Sequence, residues 1–336
     1  MNHSKSFGLK EIAQLSNVSI ATASRVFSNP QKTSSSTRDK VLAIAKEHDY
    51  YPNAQKLISA NGKEHTIALF ISDIDNQFNV NILDLLNKMA FKNNLNFVTC
   101  IANGNYDLEL QHYEYFKTLN TQAYIYGSDT GEKIFNLENT EPIAKTIFLD
   151  HEDVPNLQNY TVTSNNKKGI SLLVDYLYKL NHRKIAYISG PTDILLSAQE
   201  RKEGFITAME KLDLEVPPHY IVEGNLGIHN GISHFDYFYS MSDAPTAIIC
   251  GSDVIARGFI MRANSLGVRI PNEFSVCGFD GLNDDTFYPA ITSVKQNLKK
   301  IVNTISTIIS EPDDEISTKK KVLDVSISHG MTCHKI

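Results

Sequence analysis

The chain has 336 residues, 42% hydrophobic and 9% aromatic, with a net charge of −6 and no tryptophan. That is ordinary globular composition, long enough for a small domain plus a large one, and no apolar run approaches the ~20 residues of a membrane span. Its four cysteines, Cys100, Cys250, Cys277 and Cys333, form no CxxC pair, and the opening MNHSKSFGLKEI lacks the apolar core of a signal peptide. A reduced protein of the cytoplasm is therefore expected.

Residues 9–28 read LKEIAQLSNVSIATASRVFS. Leu9, Ile12 and Ala13 fall on one face of a helix, and a break at Ser16-Asn17-Val18 follows. Ser19 is placed to cap a second helix, with Ala23, Val26 and Phe27 on one side and Ile20, Ala21, Ser24 and Arg25 on the other. Two short helices joined by a tight turn make a helix-turn-helix, and a small polar face with one arginine suits a DNA major groove. Asn17 stands where the turn wants a residue tolerant of positive φ. Asn29-Pro30 ends the second helix. Ser34 can cap a third, STRDKVLAIAKEHDY, whose apolar face is Val41, Leu42 and Ala45, and Tyr51-Pro52-Asn53-Ala54 breaks it.

Charge divides along the same boundary. Residues 1–63 hold nine Lys/Arg against four acids, +5, leaving −11 for the remainder. A basic head on an acidic body concentrates phosphate attraction in the head.

The run SIATASRVFSNP through TRDKVLAIAKEHDYYPNA resembles the N-terminal DNA-binding domain of the lactose/galactose-repressor (LacI/GalR) family of bacterial transcription regulators. The resemblance implies domains at 1–52 (helix-turn-helix), 53–64 (hinge) and 65–336 (effector binding and dimerisation). It implies a partner of double-stranded operator DNA, bound by a homodimer. The expected DNA-contacting set is Ser19, Ile20, Ala21, Ser24, Arg25 and Asn29. Ile20 and Ala21 suit a thymine methyl and Arg25 a guanine, while Ser24 and the amides near Ser19 suit phosphates. In the family the hinge forms a helix that wedges a leucine into the minor groove. Here NAQKLISANG places Ser59 at that position, leaving Leu57 or Ile58 to substitute.

From Thr66 onward, short β-rich runs (TIALFIS, NFVTCI, AYIY, TIFLD, KIAYIS, TAIIC, SVCGF) alternate with amphipathic helices such as NILDLLNKMAFKN and KKGISLLVDYLYKL. Such alternation predicts parallel sheets with helices on both faces, and about 270 residues exceed one comfortable core. The expected fold class is a small all-α head joined by a hinge to an α/β body of two doubly wound parallel-sheet lobes. The resemblance extends it to a body like that of periplasmic sugar-binding proteins, the chain crossing between lobes near 160–163, 289–292 and 322–326.

Family-like stretches supply the expected effector set. IALFISDIDNQFNVNIL places Asp75, Asn76 and Phe78 at the cleft, TIFLD ends on Asp150, and SAQERKEGF brings Ser197 and Arg201. AIICGSDVIARG has Ser252 where the family usually has asparagine, SVCGFDG brings Asp280, and ITSVKQN brings Gln296. Leu226 stands where many relatives carry an aromatic. A guanidinium with five donors and a carboxylate that accepts from vicinal hydroxyls suit a sugar-like ligand.

Competing classes have less support. Neither a GxxxxGK phosphate loop nor a GxSxG elbow occurs, so no enzyme and no cofactor are expected. The missing signal peptide and the basic head count against a secreted solute-binding protein. His329, Cys333 and His334 lie in a tail and are not expected to bind metal. Asp73, Asp75 and the Asp284-Asp285 pair lack calcium-loop spacing and read as solvated loop acids. No leucine heptads follow the last strand, so a tetramerisation coil is not expected.

Overall fold

The computed structural model describes residues 8–48, 65–128, 144–151, 159–282, 287–312, 316 and 319–336. Leu57, Ile58 and Ser59 of the hinge, and the 284–285 acid pair, lie outside the described residues.

The head consists of α1 (Leu9–Leu15), α2 (Ile20–Ser28), a short 3-10 turn (Pro30–Lys32) and α3 (Ser35–Glu47). Ile12, Val26, Val41 and Ala45 form its core, with Val18, Phe27 and Ile44 packed against them. The apolar face expected of α3 needs one correction. Leu42 is 43% exposed, and Ile44 packs inward instead. At about 100° per residue Ile44 falls roughly 60° to one side of Val41 and Ala45 roughly 40° to the other, whereas Leu42, roughly 100° from Val41, turns away from the α1–α2 pair.

The body contains two six-stranded sheets. The first, in the order β11-β5-β4-β3-β1-β2, pairs β1 (Thr66–Ile71), β2 (Asn96–Ile101), β3 (Thr121–Gly127), β4 (Lys145–Leu149), β5 (Asn159–Ser164) and β11 (Lys320–Leu323), every pairing parallel. One face packs on α4 (Gln77–Lys92) and α10 (Leu298–Ser310), burying Ile82, Leu86, Ile301 and Ile305. The other packs on α5 (Tyr106–Lys117) through Tyr113 and Phe116. The second sheet, β12-β10-β9-β8-β6-β7, comprises β6 (Ile185–Ser189), β7 (Ile221–Glu223), β8 (Ala247–Cys250), β9 (Ser275–Asp280), β10 (Thr292–Lys295) and β12 (Ser326–Ser328). Only its β10–β12 pairing is antiparallel. It is covered by α6 (Asn166–Lys179) and α7 (Leu196–Lys211) on one face, and by α8 (Ile228–Tyr239) and α9 (Asp253–Ser265) on the other. Gly231 and Gly258 allow α8 and α9 to cross closely. A Cβ on Gly231 would overlap the Ile255 carbonyl oxygen, and one on Gly258 the Ile228 carbonyl oxygen.

Two of the three crossings lie slightly beyond their expected places. The chain leaves the first lobe after β5, at residue 165, and leaves the second after β10, at 296–297. The expected 160–163 falls inside β5 and 289–292 precedes most of β10, because both strands complete their ladders before the chain departs. The third crossing, at 324–325 between β11 and β12, falls within the expected 322–326. Strands β5, β7, β10, β11 and β12 are absent from the sequence candidates. They are short or rich in Ser, Thr and Lys, and the neighbouring strands rather than their own hydrophobicity recruit them.

Candidate functional site

Two sites take shape, one on the head and one between the lobes. In the head, the turn before α2 closes with Asn17 at φ 54, a left-handed conformation that asparagine tolerates. Ser19 caps α2, its Oγ accepting from the Thr22 amide at 3.0 Å. Ala23 and Val26 are buried, which rolls the opposite side outward: Ile20, Ala21 and Arg25 are exposed and Ser24 is half-buried. Ile20 is 51% exposed, a large apolar residue held in water where no head packing needs it. Asn29 is exposed at the C-terminal end of the helix, its amide donating to the Arg25 carbonyl at 2.8 Å. None of the six head residues expected to meet DNA is acidic, and Ser19, Ile20, Ala21, Arg25 and Asn29 are exposed.

The second site is a cleft of about 280 Å³ between the lobes. Of the residues expected at the effector site, Asn76, Phe78, Asp150, Ser197, Arg201, Ser252, Asp280 and Gln296 line it, and Asp75 does not. Parallel strands bring them there. Asp150 directly follows β4 and Asp280 ends β9, so their carboxylates emerge from opposing sheets at the carboxyl edges where such sheets bind ligands. Both take positive φ, 54 for Asp150 and 121 for Asp280, the kind of backbone outlier that clusters at ligand sites.

Arg201 is buried. Its Nε donates to Asn166 Oδ1 at 2.8 Å and its Nη1 to the Gly251 carbonyl at 2.7 Å, while Asp280 Oδ1 lies 3.8 Å from Nη1. The guanidinium also stacks on Phe279, 3.7 Å from the ring centroid. Burial pushes the Asp280 carboxyl up to about 6, with Arg201 pulling it back down. Asp253, buried at the first position of α9, is pushed up to about 8 by burial and by Asp280, although it accepts from Ser293 Oγ and the Leu282 amide, each at 2.6 Å.

The two strand-end carboxylates are joined from lobe to lobe through residues at the interlobe crossings. Asp150 Oδ1 accepts from the Ser164 amide at 3.2 Å and from Thr163 Oγ1 at 2.6 Å. Ser164 Oγ donates to Gln296 Oε1 at 2.6 Å, and Gln296 Nε2 donates to Asp280 Oδ1 at 2.8 Å. Gln296 therefore lines the cleft with both ends of its amide already engaged. Ser252 is similarly occupied: its Oγ accepts from the Ile255 amide at 3.2 Å as the cap of α9 and donates to the Leu226 carbonyl at 3.4 Å. Asn76 caps α4, accepting from the Phe78 amide at 2.9 Å.

The sequence reading missed one acid. Asp73, not Asp75, lines the cleft, and Asp75 is exposed. Asp73 is no solvated loop acid: its Oδ1 accepts from the Asn76 amide at 2.9 Å, and Asp73 and Asn76 line the cleft while Ile74 and Asp75 between them are exposed. His151, Asn225 and the 194–196 turn were also missed, and they are brought in by the strand ends beside them. Leu226 lines the cleft where an aromatic was looked for.

Comparison with known proteins bears on both sites. Residues 8–53 match "Bacterial regulatory proteins, lacI family", and residues 174–327 match "Periplasmic binding protein-like domain". Among curated relatives, the "Probable HTH-type transcriptional repressor ExuR" of Bacillus subtilis (strain 168) is 27% identical over 91% of this chain and 92% of its own. The "HTH-type transcriptional repressor PurR" of Vibrio vulnificus (strain CMCP6) is 24% identical over 94% of this chain and 95% of its own. Among solved structures, the Lac repressor dimer bound to operator and the anti-inducer ONPF superposes with a TM-score of 0.74 at 21% identity, over 98% of this chain and 100% of that one. The CelR–cellobiose complex follows at 0.68 and 19%, over 97% and 99%. At these identities the structural likeness is one of fold.

Proposed function

The chain belongs to the LacI/GalR family of bacterial transcription regulators and is a transcriptional repressor with an N-terminal DNA-binding domain, and we propose that a sugar or sugar derivative bound between its lobes controls its grip on an operator. The observation that carries this reading is the convergence of Asp150, Arg201 and Asp280 on one interlobe cleft.

The molecule acts as a homodimer in the cytoplasm. One head covers only about 600–1,000 Å² of DNA contact, so two heads on a two-fold operator are needed for affinity. Ile20, Ala21 and Arg25 read base edges, Ser19, Ser24 and Asn29 hold phosphates, and Leu57 or Ile58 serves the minor groove. A ligand in the cleft contacts both lobes, so it favours one lobe angle over another and, through the hinges, one head spacing. The Asp150–Ser164–Gln296–Asp280 chain supports this, since lobe rotation strains the hydrogen bonds that run from one lobe to the other. The Lac repressor complex with operator and the CelR complex with cellobiose are relatives in fold for which such partners are known.

The test is a gel shift with an operator selected from random duplexes. Arg25→Ala removes one base contact per head, at about 1–3 kcal/mol each, so a dimer should bind at least roughly 30-fold more weakly. Its melting temperature should not change, because Arg25 is exposed. Wild-type affinity in the variant would refute the assigned face.

A further inference from the structure

We propose that the cleft selects its effector by charge and takes a single-ring polyhydroxylated compound bearing neither phosphate nor carboxylate. This rests on the reading of the cleft as the effector site.

Size sets the first limit. At about 280 Å³ the cleft sits at the foot of the ~300–1,000 Å³ range of small-molecule sites. Such a volume suits one ring rather than two.

Charge sets the second. Among the described residues, the cleft is lined by three carboxylates, Asp73, Asp150 and Asp280, against one guanidinium, Arg201. That guanidinium is already matched by Asp280, 3.8 Å away and equally buried, and its Nε and Nη1 serve Asn166 and Gly251. Asp73 and Asp150 have only neutral donors: the Asn76 amide for the first, the Thr163 hydroxyl and the Ser164 amide for the second. Among the described residues neither has a cation within ion-pair distance. The remaining basic side chain at the cleft, His151, is an imidazole set against Phe148 at 5.5 Å.

One feature pulls the other way. α7 begins at the cleft behind Leu195, an N-cap residue that offers no side-chain cap, so its first amides are open to a ligand oxygen. A helix N-terminus is worth roughly half an elementary charge, less than the two whole negative charges it would have to overcome. Those amides, with the Ser197 hydroxyl beside them, suit a ring hydroxyl. An anionic group brought within several ångströms of Asp73 and Asp150 meets uncompensated repulsion in a partly desolvated space. A neutral polyol donates to the same carboxylates, and an amine does so with added attraction.

The experiment is calorimetric titration of the full-length protein with a panel of hexoses, each as free sugar, 2-amino sugar, 6-phosphate and uronate. Every hexose that binds should do so at least tenfold more tightly in its free or amino form than as phosphate or uronate. In an Asp73→Asn/Asp150→Asn double variant the gap should shrink several-fold. Asparagine retains the acceptor oxygen at both positions and tolerates the φ of 54 at residue 150. Should the double variant lose its melting transition, each single variant gives the same comparison. A phosphate or uronate that binds as well as its parent sugar overturns the charge inference and leaves the effector site standing. A gap unchanged in the variants overturns it too, since the exclusion would then be steric. Failure of every hexose in every form would overturn the sugar reading itself, and this inference with it.

Discussion

Replacing Arg201 with methionine removes a charge that the second lobe is built around. Two hydrogen bonds from the guanidinium, to Asn166 Oδ1 at 2.8 Å and the Gly251 carbonyl at 2.7 Å, are lost. Charge-assisted bonds contribute about 1.5–3 kcal/mol each, and the stack on Phe279 about 0.5–2 kcal/mol more. The methionine side chain returns about 1.5–3 kcal/mol through its own burial. The net loss is about 3 kcal/mol, at the lower end of the ~3–5 kcal/mol seen when one partner of a buried ion pair is deleted. Scanning calorimetry would register it as a fall of roughly 6–12 °C in the body's melting temperature. The loss should also depend on pH. Arg201 is the strongest influence lowering the Asp280 carboxyl, so without it that carboxyl rises further above its present value of about 6. A carboxyl raised in the folded state costs stability as pH climbs through that value and costs nothing below the unfolded value near 3.9. The gap between wild type and variant should therefore widen from pH 5.5 to pH 8. A loss below about 1 kcal/mol, or a gap constant over that range, would refute the view that the two charges sustain each other.

Two further outcomes follow from the same packing. Gly231→Ala places a methyl group into the Ile255 carbonyl oxygen at the α8–α9 crossing, so urea denaturation should show a loss of about 1–3 kcal/mol despite the gain of about 1 kcal/mol in helix propensity. A stabilised variant would mean that the helices do not meet there. Asp253, held near 8 by burial and by Asp280, keeps its proton in the folded state up to that pH, whereas the unfolded carboxyl loses it near 3.9, so stability should fall by up to about 1.4 kcal/mol per pH unit between about pH 4 and 8. Asp253→Asn should flatten that slope in thermal melts, and a slope unchanged in the variant would exclude Asp253 as its source.

Much of the molecule was legible before any coordinates because its signals are local. The helix-turn-helix follows from residues that are neighbours in sequence: Asn17 for the turn, Ser19 for the cap, Ala23 and Val26 for the buried side of α2. The doubly wound body follows from strand-like runs too apolar to face water on either side. What lay beyond the sequence depends on groups distant along the chain. Leu42 and Ile44 are equally apolar, and only the placement of α1 and α2 decides which one turns inward. Asp73 and Asp75 are two residues apart and chemically identical, and the hydrogen bond from the Asn76 amide sends one into the cleft and the other into water. Strands such as β5 and β11 carry little hydrophobic signal and exist because a parallel neighbour completes their ladder. Gln296 and Ser252 are named by sequence as cleft residues, yet their polar groups are committed to the interlobe hydrogen-bond chain and to a helix cap. Local patterning determined which elements form and which residues are equipped for the site. Tertiary structure decided which of their donors and acceptors are left for a ligand, because satisfying each buried polar group depends on partners brought together only by the completed sheets.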